Sequence, residues 1–453
     1  MSGYESFFSG KQVTVLGLGL LGRGVGDAEF IAQFAKEVIV TDKKSEAELA
    51  ESVARLKKYS NIIFHLGGHE EKDFTDTDMI IKAAGVRLDS SEIAAARAAG
   101  VPVYMSTALF AKFAQDIGAT IVGITGTRGK TTVTQMIYHT LEAAKGHSNI
   151  LKNVGILLGG NVRGLSTLAM IRDLKKGDIC VLELDSWQLQ GFGDLEISPQ
   201  IAVFTNLMPD HQNYYASMDA YFDDKANIFK YQKTGNTLIA GNGLTERLQT
   251  AHTPCEPFLH TPIPADWTLK IPGEHNRENA SLAKAALEAL GLSESEIKRG
   301  LESFEGVEGR LQFVREINGI KIYNDNNATT QEATIAALRA LGDPEKKKIV
   351  LIVGGDNKGL DMSKLVEEIP KWCSKVVLFK ERGTNTIRGS ILAVKDLAVY
   401  EEDGLLATVS RAMSLALPGE IILYSPAFSS FGKYFKNEFD RGDQFMEIIR
   451  ELS

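Results

Sequence analysis

The sequence predicts an α/β protein with three domains in series, and three observations support this prediction. The chain has 453 residues, which corresponds to about three domains of roughly 150 residues each. Short β-branched runs alternate with helical patterns, as in parallel sheets with crossover helices. Glycine-rich turns follow two of the strands, at residues 17–22 and 126–129, directly before a helix. We expect a Rossmann-like N-terminal domain, a central α/β domain with a P-loop, and a C-terminal Rossmann-like α/β domain.

The first hundred residues predict one complete parallel sheet. Apolar runs at 13–16, 38–41, 62–66, 79–81 and 101–104 are separated by Ala- and Glu-rich helical stretches such as 45–59 and 91–99. A second series follows, with strands at 120–124, 179–184, 201–205 and 237–240 and helices at 276–290 and 293–303. We place the domain boundary between these two series near residues 111–115.

The third series opens with a hairpin. Residues 312–317 and 320–324 flank Asn318-Gly319, and Asn-Gly favours a type I′ turn. Strands at 348–353, 375–378 and 420–424 then return to the α/β pattern. The predicted domains are therefore residues 1–112, 113–306 and 307–453.

Charge and cysteine content exclude several classes of protein. Lys and Arg together number 50 and Asp and Glu 58, which gives a formal net charge of −8. Because the acidic residues are spread along the chain, we exclude a nucleic-acid-binding protein that works through bulk positive charge. The three cysteines form no metal-binding or redox motif. Because an odd number of cysteines leaves one unpaired in any disulfide scheme, we expect a protein of the reducing cytoplasm. No apolar run is long enough to span a bilayer, so we expect no membrane span.

The most specific motif is a glycine turn at Gly126-x-x-Gly129-Lys130-Thr131, between a strand and a helix. Such a turn directs backbone N–H groups and the positive end of the helix dipole toward phosphate oxygens. Lys130 would reach the β- and γ-phosphates, and the Thr131 hydroxyl would hold Mg²⁺. The loop is shorter than the usual G-x-x-x-x-G-K-[ST] pattern.

A second glycine turn, Gly17-x-Gly19-x-x-Gly22, follows the first strand, and Asp42 ends the second. By spacing alone this is a dinucleotide-binding pattern. The same geometry accepts any ligand with a diphosphate at the helix N-terminus, so it fits a UDP-sugar as well as NAD.

Acidic and histidine side chains follow two strands downstream of the phosphate loop. Glu183 ends one apolar run, and Asp210-His211 follows the next. Ligand-binding groups of an open parallel sheet collect at these strand ends. A carboxylate and a histidine in this order predict a Mg²⁺–ATP site.

At this point the residues resemble the Mur ligase family of peptidoglycan synthesis, and most closely its D-glutamate-adding members. The resemblance covers essentially the whole chain. Its motifs, in family order, are GLGLLG with Asp42, GTRGKTT, ELDSWQL, NLMPDHQNYY with YFDDKANIF, GEHNRENASLA, GRLQF, NDNNATTQEAT, GGDNKGLD and SPAFSSFGKYFKNEFDRGDQF. The family architecture implies a UDP-sugar-binding domain, a central ATP-binding domain and an amino-acid-binding domain.

The resemblance also implies a role for individual positions. For ATP they are Gly126, Thr127, Arg128, Gly129, Lys130, Thr131, Thr132, Asn276, Asn279, Arg310 and Asp325. The implied catalytic residues are Lys130, Glu183, His211 and Lys225. The metal ligands are Thr131, Glu183, His211 and Lys225, the last as a carbamate, which would turn a cation into an anionic oxygen ligand. The UDP-sugar positions are Gly17, Gly19, Leu20, Leu21, Gly22, Asp42, Lys43, Gly85 and Asn161, and the amino-acid positions are Thr329, Lys358, Ser430 and Phe439.

Several positions depart from the family pattern. The family Asn of the phosphate loop is Arg128, its SPG motif is Ala83-Ala84-Gly85, and a Ser after Glu183 is Asp185. Asn326 and Asn327 replace a Ser-Lys pair. One extra residue before Arg441 leaves Phe439 as the nearest candidate for the aromatic residue at the amino acid.

The implied function is an ATP-dependent ligase that adds D-glutamate to UDP-N-acetylmuramoyl-L-alanine through an acyl phosphate, with ATP and Mg²⁺ as cofactors. We expect a monomer. Alternatives are a ligase for L-glutamate or another amino acid, a non-catalytic UDP-sugar or nucleotide sensor, and a nicotinamide-dependent oxidoreductase. The oxidoreductase leaves the Lys130 loop unexplained. Folylpolyglutamate synthase shares the ATP motifs but does not need the N-terminal glycine turn with Asp42.

Overall fold

A computed structural model describes residues 3–19, 22–162, 164–210, 214–251, 253–357, 359–430 and 432–452. Within these ranges the chain forms three sheets. It divides into two compact units, the first of residues 1–263 and 279–301, the second of residues 264–278 and 302–453. Among the described residues, no helix has both the length and the apolar character needed to cross a bilayer.

The N-terminal sheet is parallel, with strand order β3-β2-β1-β4-β5. The chain enters the sheet at its central strand, β1, and adds the next strands first on one side of β1 and then on the other. Open α/β sheets bind ligands where this strand order reverses, here between β1 and β4. Its strands are β1 Gln12–Leu16, β2 Glu37–Asp42, β3 Ile62–Leu66, β4 Met79–Lys82 and β5 Val103–Tyr104. Its helices are α1 Gly3–Phe8, α2 Arg23–Ile31, α3 Ala50–Leu56, α4 Lys72–Thr75, α5 Ser91–Ala98 and α6 Ser106–Ile117.

The second sheet is also parallel, with order β11-β10-β9-β6-β8-β7. Its strands are β6 Thr120–Thr125, β7 Ile156–Gly160, β8 Ile179–Glu183, β9 Ile201–Phe204, β10 Thr237–Ala240 and β11 Pro257–Leu259. The helices are α7 Lys130–Ala144, a 3₁₀ helix Leu168–Asp173, α8 Ser186–Asp194, α9 Met218–Ala226, α10 Thr245–Thr250, α11 Glu274–Ala289 and α12 Glu294–Ser303.

Helix α6 explains why the first two sheets belong to one unit. Phe110 and Ala114 on this helix are fully buried, in one hydrophobic core that contains Val13 of β1 and Leu182 of β8. A buried phenylalanine contributes about 2 kcal/mol through the apolar surface that it removes from water. The predicted boundary between residues 112 and 113 falls inside this helix.

The third sheet has order β12-β13-β17-β14-β15-β16, parallel except for the β12–β13 hairpin. Asn318 and Gly319 in its turn have φ of 50° and 77°, as the predicted type I′ turn requires. The strands are β12 Gln312–Ile317, β13 Ile320–Asn324, β14 Ile349–Val353, β15 Cys373–Phe379, β16 Ala398–Glu402 and β17 Ile421–Tyr424. The helices are α13 Gln331–Leu341, α14 Ser363–Trp372, α15 Asn385–Leu392, α16 Leu405–Leu415 and α17 Glu438–Glu451.

Candidate functional site

The phosphate loop connects β6 to α7, as the sequence predicts. Gly126 and Gly129 have φ of 141° and 82°, a region that side-chain-bearing residues rarely adopt. A Cβ at Gly126 would overlap the Thr205 hydroxyl, and one at Gly129 would overlap the Asn279 amide oxygen. Both positions therefore need glycine for conformation and for space.

Hydrogen bonds to the end of β9 hold this loop in shape. Backbone N–H groups of Thr127 and Arg128 donate to the Asn206 carbonyl and side-chain oxygens, each at 2.9 Å. The Thr205 hydroxyl donates to the Arg128 carbonyl at 2.5 Å. The loop is thus fixed by protein contacts, which lowers the entropy cost of ordering it around a ligand.

Two lysines converge on one carbonyl oxygen of the loop. The Lys130 Nζ donates to the Gly126 oxygen at 3.1 Å, and the Lys225 Nζ donates to the same oxygen at 2.8 Å. Lys225 projects from α9 and is 1% exposed. The structure therefore brings together two of the predicted catalytic residues, although Lys225 by sequence alone looks like an ordinary surface lysine.

The surroundings of Lys225 favour its neutral amine. Burial, and then repulsion by the Lys130 ammonium, lower the pKa of Lys225 well below its usual value. The carboxylates of Asp185, Asp210 and Asp224 oppose this shift only in part. A neutral amine has the free electron pair that a nucleophile needs.

Glu183 is the last residue of β8 and lies beside the loop. It pairs with Ile124 of β6 and with Gly160 of β7, so its backbone is one strand away from the start of the phosphate loop. The residue is 4% exposed, and no described residue hydrogen-bonds to its carboxylate. A buried carboxylate without a partner among the described residues, together with the half-buried Thr131 hydroxyl in the first turn of α7, is a donor set that fits a hard cation such as Mg²⁺.

Asp185 caps the following helix. Its carboxylate accepts from the Gln188 backbone N–H at 2.7 Å, and the Gln188 side chain accepts from the Asp185 N–H at 3.2 Å. This capping box gives the departure from the family pattern a structural role.

Other residues meet around the loop without having been predicted. The Tyr221 hydroxyl lies 3.5 Å from the Thr127 hydroxyl, and the Lys225 Nζ lies 4.7 Å from the centre of the Tyr221 ring. The only sequence signal for Tyr221 is its position one helical turn before Lys225. His211 lies outside the described residues, and Thr132 sits buried in the first turn of α7.

The N-terminal glycine turn borders a cavity of about 220 Å³. Of the predicted UDP-sugar residues, Gly17, Gly19 and Gly85 line it, and Gly22 precedes α2 with a φ of 80°. Asp42 holds the turn in place, because its carboxylate accepts from the backbone N–H of Gly19 at 3.1 Å, and its assignment to the UDP-sugar stays a prediction. Leu20 and Leu21 lie outside the described residues.

Two predicted UDP-sugar residues lie away from the lining of that cavity. Lys43 is 73% exposed at its side chain and forms an ion pair with Glu92 at 3.1 Å. Asn161 lies at the edge of the second sheet, where its backbone N–H donates to the Glu183 carbonyl at 2.7 Å. Their assignment to the UDP-sugar stays a prediction.

The two asparagines predicted near adenine both belong to α11. The Asn279 amide oxygen borders Gly129 of the phosphate loop. The Asn276 side chain donates to the Pro272 carbonyl at 2.7 Å. Both side chains are buried.

In the second unit, Asp325 is a buried carboxylic group. It accepts from the Leu311 N–H at 3.0 Å and from the Ser425 hydroxyl at 2.7 Å. Burial raises the pKa of Asp325 to about 7, and the charge of Arg310 reduces the increase. Arg310 itself is exposed.

The predicted amino-acid residues lie on neighbouring loops of the third sheet. Thr329 lines a small cavity with Asp356, and a backbone bridge between Asp356 and Ser429 holds their two loops side by side. Ser430 is 3% exposed, and Phe439 is half-buried at the start of α17. Lys358 lies outside the described residues.

Family models match all three parts of the chain. They are the Mur ligase MurD-like N-terminal domain over residues 11–105, the Mur ligase middle domain over 124–253, and the Mur ligase glutamate ligase domain over 309–428. The boundaries at residues 112 and 306 lie between these matches and stay predictions.

Similar proteins match almost end to end. UDP-N-acetylmuramoylalanine--D-glutamate ligase of Roseiflexus sp. (strain RS-1) is 31% identical, covering 98% of this chain and 99% of its own. The ligase of the same name from Clostridium novyi (strain NT) is 32% identical, covering 99% and 98%. Among solved structures, UDP-N-acetylmuramate-alanine ligase MurC of Thermotoga maritima has a TM-score of 0.63 at 20% identity, covering 97% and 99%. The MurF ligase of the same organism, solved with ADP, has a TM-score of 0.58 at 17% identity, covering 93% and 96%.

Proposed function

Because the chain belongs to the Mur ligase family, we propose that it is an ATP-dependent ligase that joins D-glutamate to UDP-N-acetylmuramoyl-L-alanine. The observation that carries this proposal is the phosphate loop, with Lys130 and Lys225 on one carbonyl oxygen beside the buried Glu183. The product is a precursor of peptidoglycan, and we place the reaction in the cytoplasm.

The proposed reaction has two steps. The terminal carboxylate of the UDP-sugar attacks the γ-phosphorus of ATP, which breaks the bond to the β-phosphate oxygen and releases ADP. The neutral amine of glutamate then attacks the acyl phosphate, loses a proton, and the tetrahedral intermediate expels inorganic phosphate. Lys130 and the loop N–H groups stabilise negative charge on the transferring phosphoryl group. No side-chain nucleophile is needed.

Thr131, Glu183, His211 and a carbamylated Lys225 would hold Mg²⁺. When bound, the ion would neutralise phosphate charge and polarise the phosphoryl oxygens. The hydroxyl and carboxylate oxygens of Thr131 and Glu183 suit so hard an ion, whereas an ammonium at Lys225 would repel it.

Carbamylation of Lys225 removes that conflict. The neutral amine attacks CO₂ and loses a proton, and the product is an anionic carbamate with two oxygens. Its support is the lowered pKa of Lys225, which favours the uncharged amine that reacts with CO₂. The carbamate would also stop the repulsion between Lys130 and Lys225.

The remaining predicted residues complete the proposed site. Arg310 and Asp325 would contribute to ATP binding together with Asn276 and Asn279. The two carboxylates of glutamate would contact Thr329, Lys358 and Ser430, with Phe439 beside them, because a small dianion needs a cation and fixed donors. The uridine and diphosphate would occupy the cavity beside Gly17, Gly19 and Gly85.

Phosphate release tests this proposal. The purified protein is mixed with Mg²⁺–ATP and UDP-N-acetylmuramoyl-L-alanine, and a panel of D- and L-amino acids is added singly. We expect phosphate release to require the UDP-sugar and D-glutamate together. The Lys130→Ala variant, purified in the same way, measures any phosphate that a contaminating phosphatase releases. If L-glutamate but not D-glutamate supports phosphate release, the proposed stereochemistry is wrong. If phosphate is released without the UDP-sugar, the ligase proposal is wrong.

A further inference from the structure

The cavity beside the N-terminal glycine turn contains two cations that no motif identifies. Arg23 and Lys82 both line it, together with the backbone of Gly17, Gly19 and Gly85. Lys82 ends β4 and Arg23 begins α2, so both lie at the point where the strand order reverses. Open α/β sheets bind ligands at this point.

Lys82 is a buried ammonium without an anionic partner. It is 2% exposed, and its Nζ donates to the carbonyls of Ala83 at 3.3 Å and Val86 at 2.9 Å. No described carboxylate lies within ion-pair distance of it. Burial lowers the pKa of Lys82 to about 8, with Asp194, Asp185 and Asp224 opposing the shift and Arg97 adding to it from further away. Leaving a charge buried and unpaired is costly unless a ligand compensates for it.

Arg23 presents a second unsatisfied group. Its Nε is buried and has no hydrogen-bond partner among the described residues. Asp27 also lines this cavity, and its carboxylate accepts from the Ser166 hydroxyl at 2.6 Å. Burial raises the pKa of Asp27 to about 6, and hydrogen bonds from Ser166 and Ser106, together with the charge of Arg23, oppose this increase.

The start of α2 adds to the positive character of this cavity. Gly22 is in the left-handed conformation and makes no side-chain cap, so the first N–H groups of the nine-residue helix have no capping oxygen from this residue. These groups and the helix dipole favour an anion. With Arg23 and Lys82 against Asp27, the cavity has a net positive charge before the dipole is counted.

We propose that Lys82 and Arg23 neutralise the diphosphate of a nucleoside diphosphate sugar bound in this cavity. The inference rests on the proposed function for the uridine nucleotide. It adds that the positive charge that neutralises the diphosphate comes from two residues that no family motif names. A diphosphate between the two cations would satisfy the Arg23 Nε and give Lys82 its anionic partner.

A structural role for Lys82 is the competing explanation, because its amine ties the chain at residues 83–86 to the end of β4. Lys82→Gln separates the two roles. Glutamine keeps two N–H donors for the Ala83 and Val86 carbonyls and removes the charge. Arg23→Gln is the second variant, since Arg23 is only half-buried and its loss leaves no backbone contact broken. Lys57→Gln is the matched control, because it makes the same change at an exposed lysine that caps the C-terminus of α3.

The experiment is a calorimetric titration of the full chain with uridine, UMP, UDP and ADP-ribose. If the lysine supplies charge, Lys82→Gln weakens UDP binding by about tenfold or more, UMP less, and uridine hardly at all, since hydrogen bonds to charged groups are the strong ones. Arg23→Gln follows the same order, and Lys57→Gln matches the wild type. Circular dichroism and melting temperature report whether each variant is folded.

The outcomes separate this inference from the proposed function. Equal UDP affinity in wild type, Lys82→Gln and Arg23→Gln overturns the charge assignment and leaves the ligase standing. Binding of ADP-ribose but not UDP, weakened by both variants, overturns the uridine substrate and keeps the charge assignment. An equal loss for uridine and UDP in a folded Lys82→Gln variant means that the lysine is structural, and it overturns the inference.

Discussion

At the scale of single residues, the chemistry depends on how the protein controls one amine. Lys225 and Lys130 share the Gly126 carbonyl, so two ammonium groups compete for one acceptor in a buried site. The protein relieves this conflict by disfavouring the charge on the more buried lysine. In the proposed function, the lowered charge makes Lys225 available for carbamylation, and Lys130 remains the cation for phosphate.

Replacing Lys225 tests this division of roles. We expect Lys225→Ala to lose at least about a hundredfold in turnover, since a metal-ligand contact to a transferring phosphoryl group contributes several kcal/mol. Added formate or acetate should restore part of the activity by supplying the missing carboxylate. Lys230→Ala, at an exposed lysine five residues on, is the control and should keep full turnover.

Carbon-13 NMR after incubation with labelled bicarbonate then detects the carbamate directly. A carbamate signal in the wild type that is absent from Lys225→Ala is the expected result. Full activity in CO₂-depleted buffer, without that signal, would contradict the modification.

Asp325 makes a prediction about stability. Burial raises its pKa to about 7 in the folded protein from 3.8, so the folded state holds its proton over a range in which the unfolded chain has lost it. Its contribution to stability is complete below pH 4 and is lost as the pH rises toward 7. The shift corresponds to roughly 4 kcal/mol.

Asp325→Asn should therefore flatten the pH dependence of stability between pH 4 and 7 relative to the wild type. Unfolding in urea, followed at several pH values, measures the difference. Parallel curves for the two proteins would show that the Asp325 carboxyl is not perturbed by burial.

At the scale of elements, the phosphate loop requires two glycines. Gly129→Ala would place a Cβ against the Asn279 amide at a φ of 82°, which costs about 1–2 kcal/mol in backbone strain alone. We expect at least about tenfold weaker ADP binding by calorimetry. Gly146→Ala, where a Cβ meets nothing within 4 Å, is the control, and equal binding by both variants would contradict the close fit of the loop.

The central strands of each sheet were predictable, and so were the edge strands β3, β5 and β12, whereas three other edge strands were not. The continuous apolar run of β14 is buried along its whole length, as expected for a parallel strand covered on both faces. Strands β7, β11 and β16 were not predicted. The first ends in two glycines, β11 has three residues, and β16 is half-exposed with two glutamates. Such edge strands carry little apolar pattern.

The placement of the candidate site residues was predictable where a motif ties residue type to spacing. Lys130 and Thr131 follow from the glycine turn and helix, and Glu183 from its place at a strand end. Lys225, by contrast, required the family resemblance, because its burial comes from the packing of α9 against the loop. Lys82 had no motif at all, since a lysine after an apolar strand is ordinary until the strand end forms a cavity wall.

At the scale of the whole molecule, each of the three α/β sheets contributes separately to the proposed reaction. The first two sheets share a hydrophobic core through α6, so the cavity of the N-terminal sheet and the phosphate loop belong to one compact unit. The third sheet, with Asp325, Thr329 and Ser430, lies in the other unit. The residues proposed to bind glutamate therefore belong to a different compact unit from the phosphate loop.

The most direct measurement is the product of one competition reaction. The protein is incubated with ATP, Mg²⁺, UDP-N-acetylmuramoyl-L-alanine and equal concentrations of D- and L-glutamate. Mass spectrometry then gives the mass of the product, and chiral analysis after hydrolysis identifies the glutamate isomer that it contains. The account predicts one amide-linked glutamate per ADP and phosphate released, and that glutamate is the D form. ADP formed without an amide product, or a product that contains mainly L-glutamate, would contradict it.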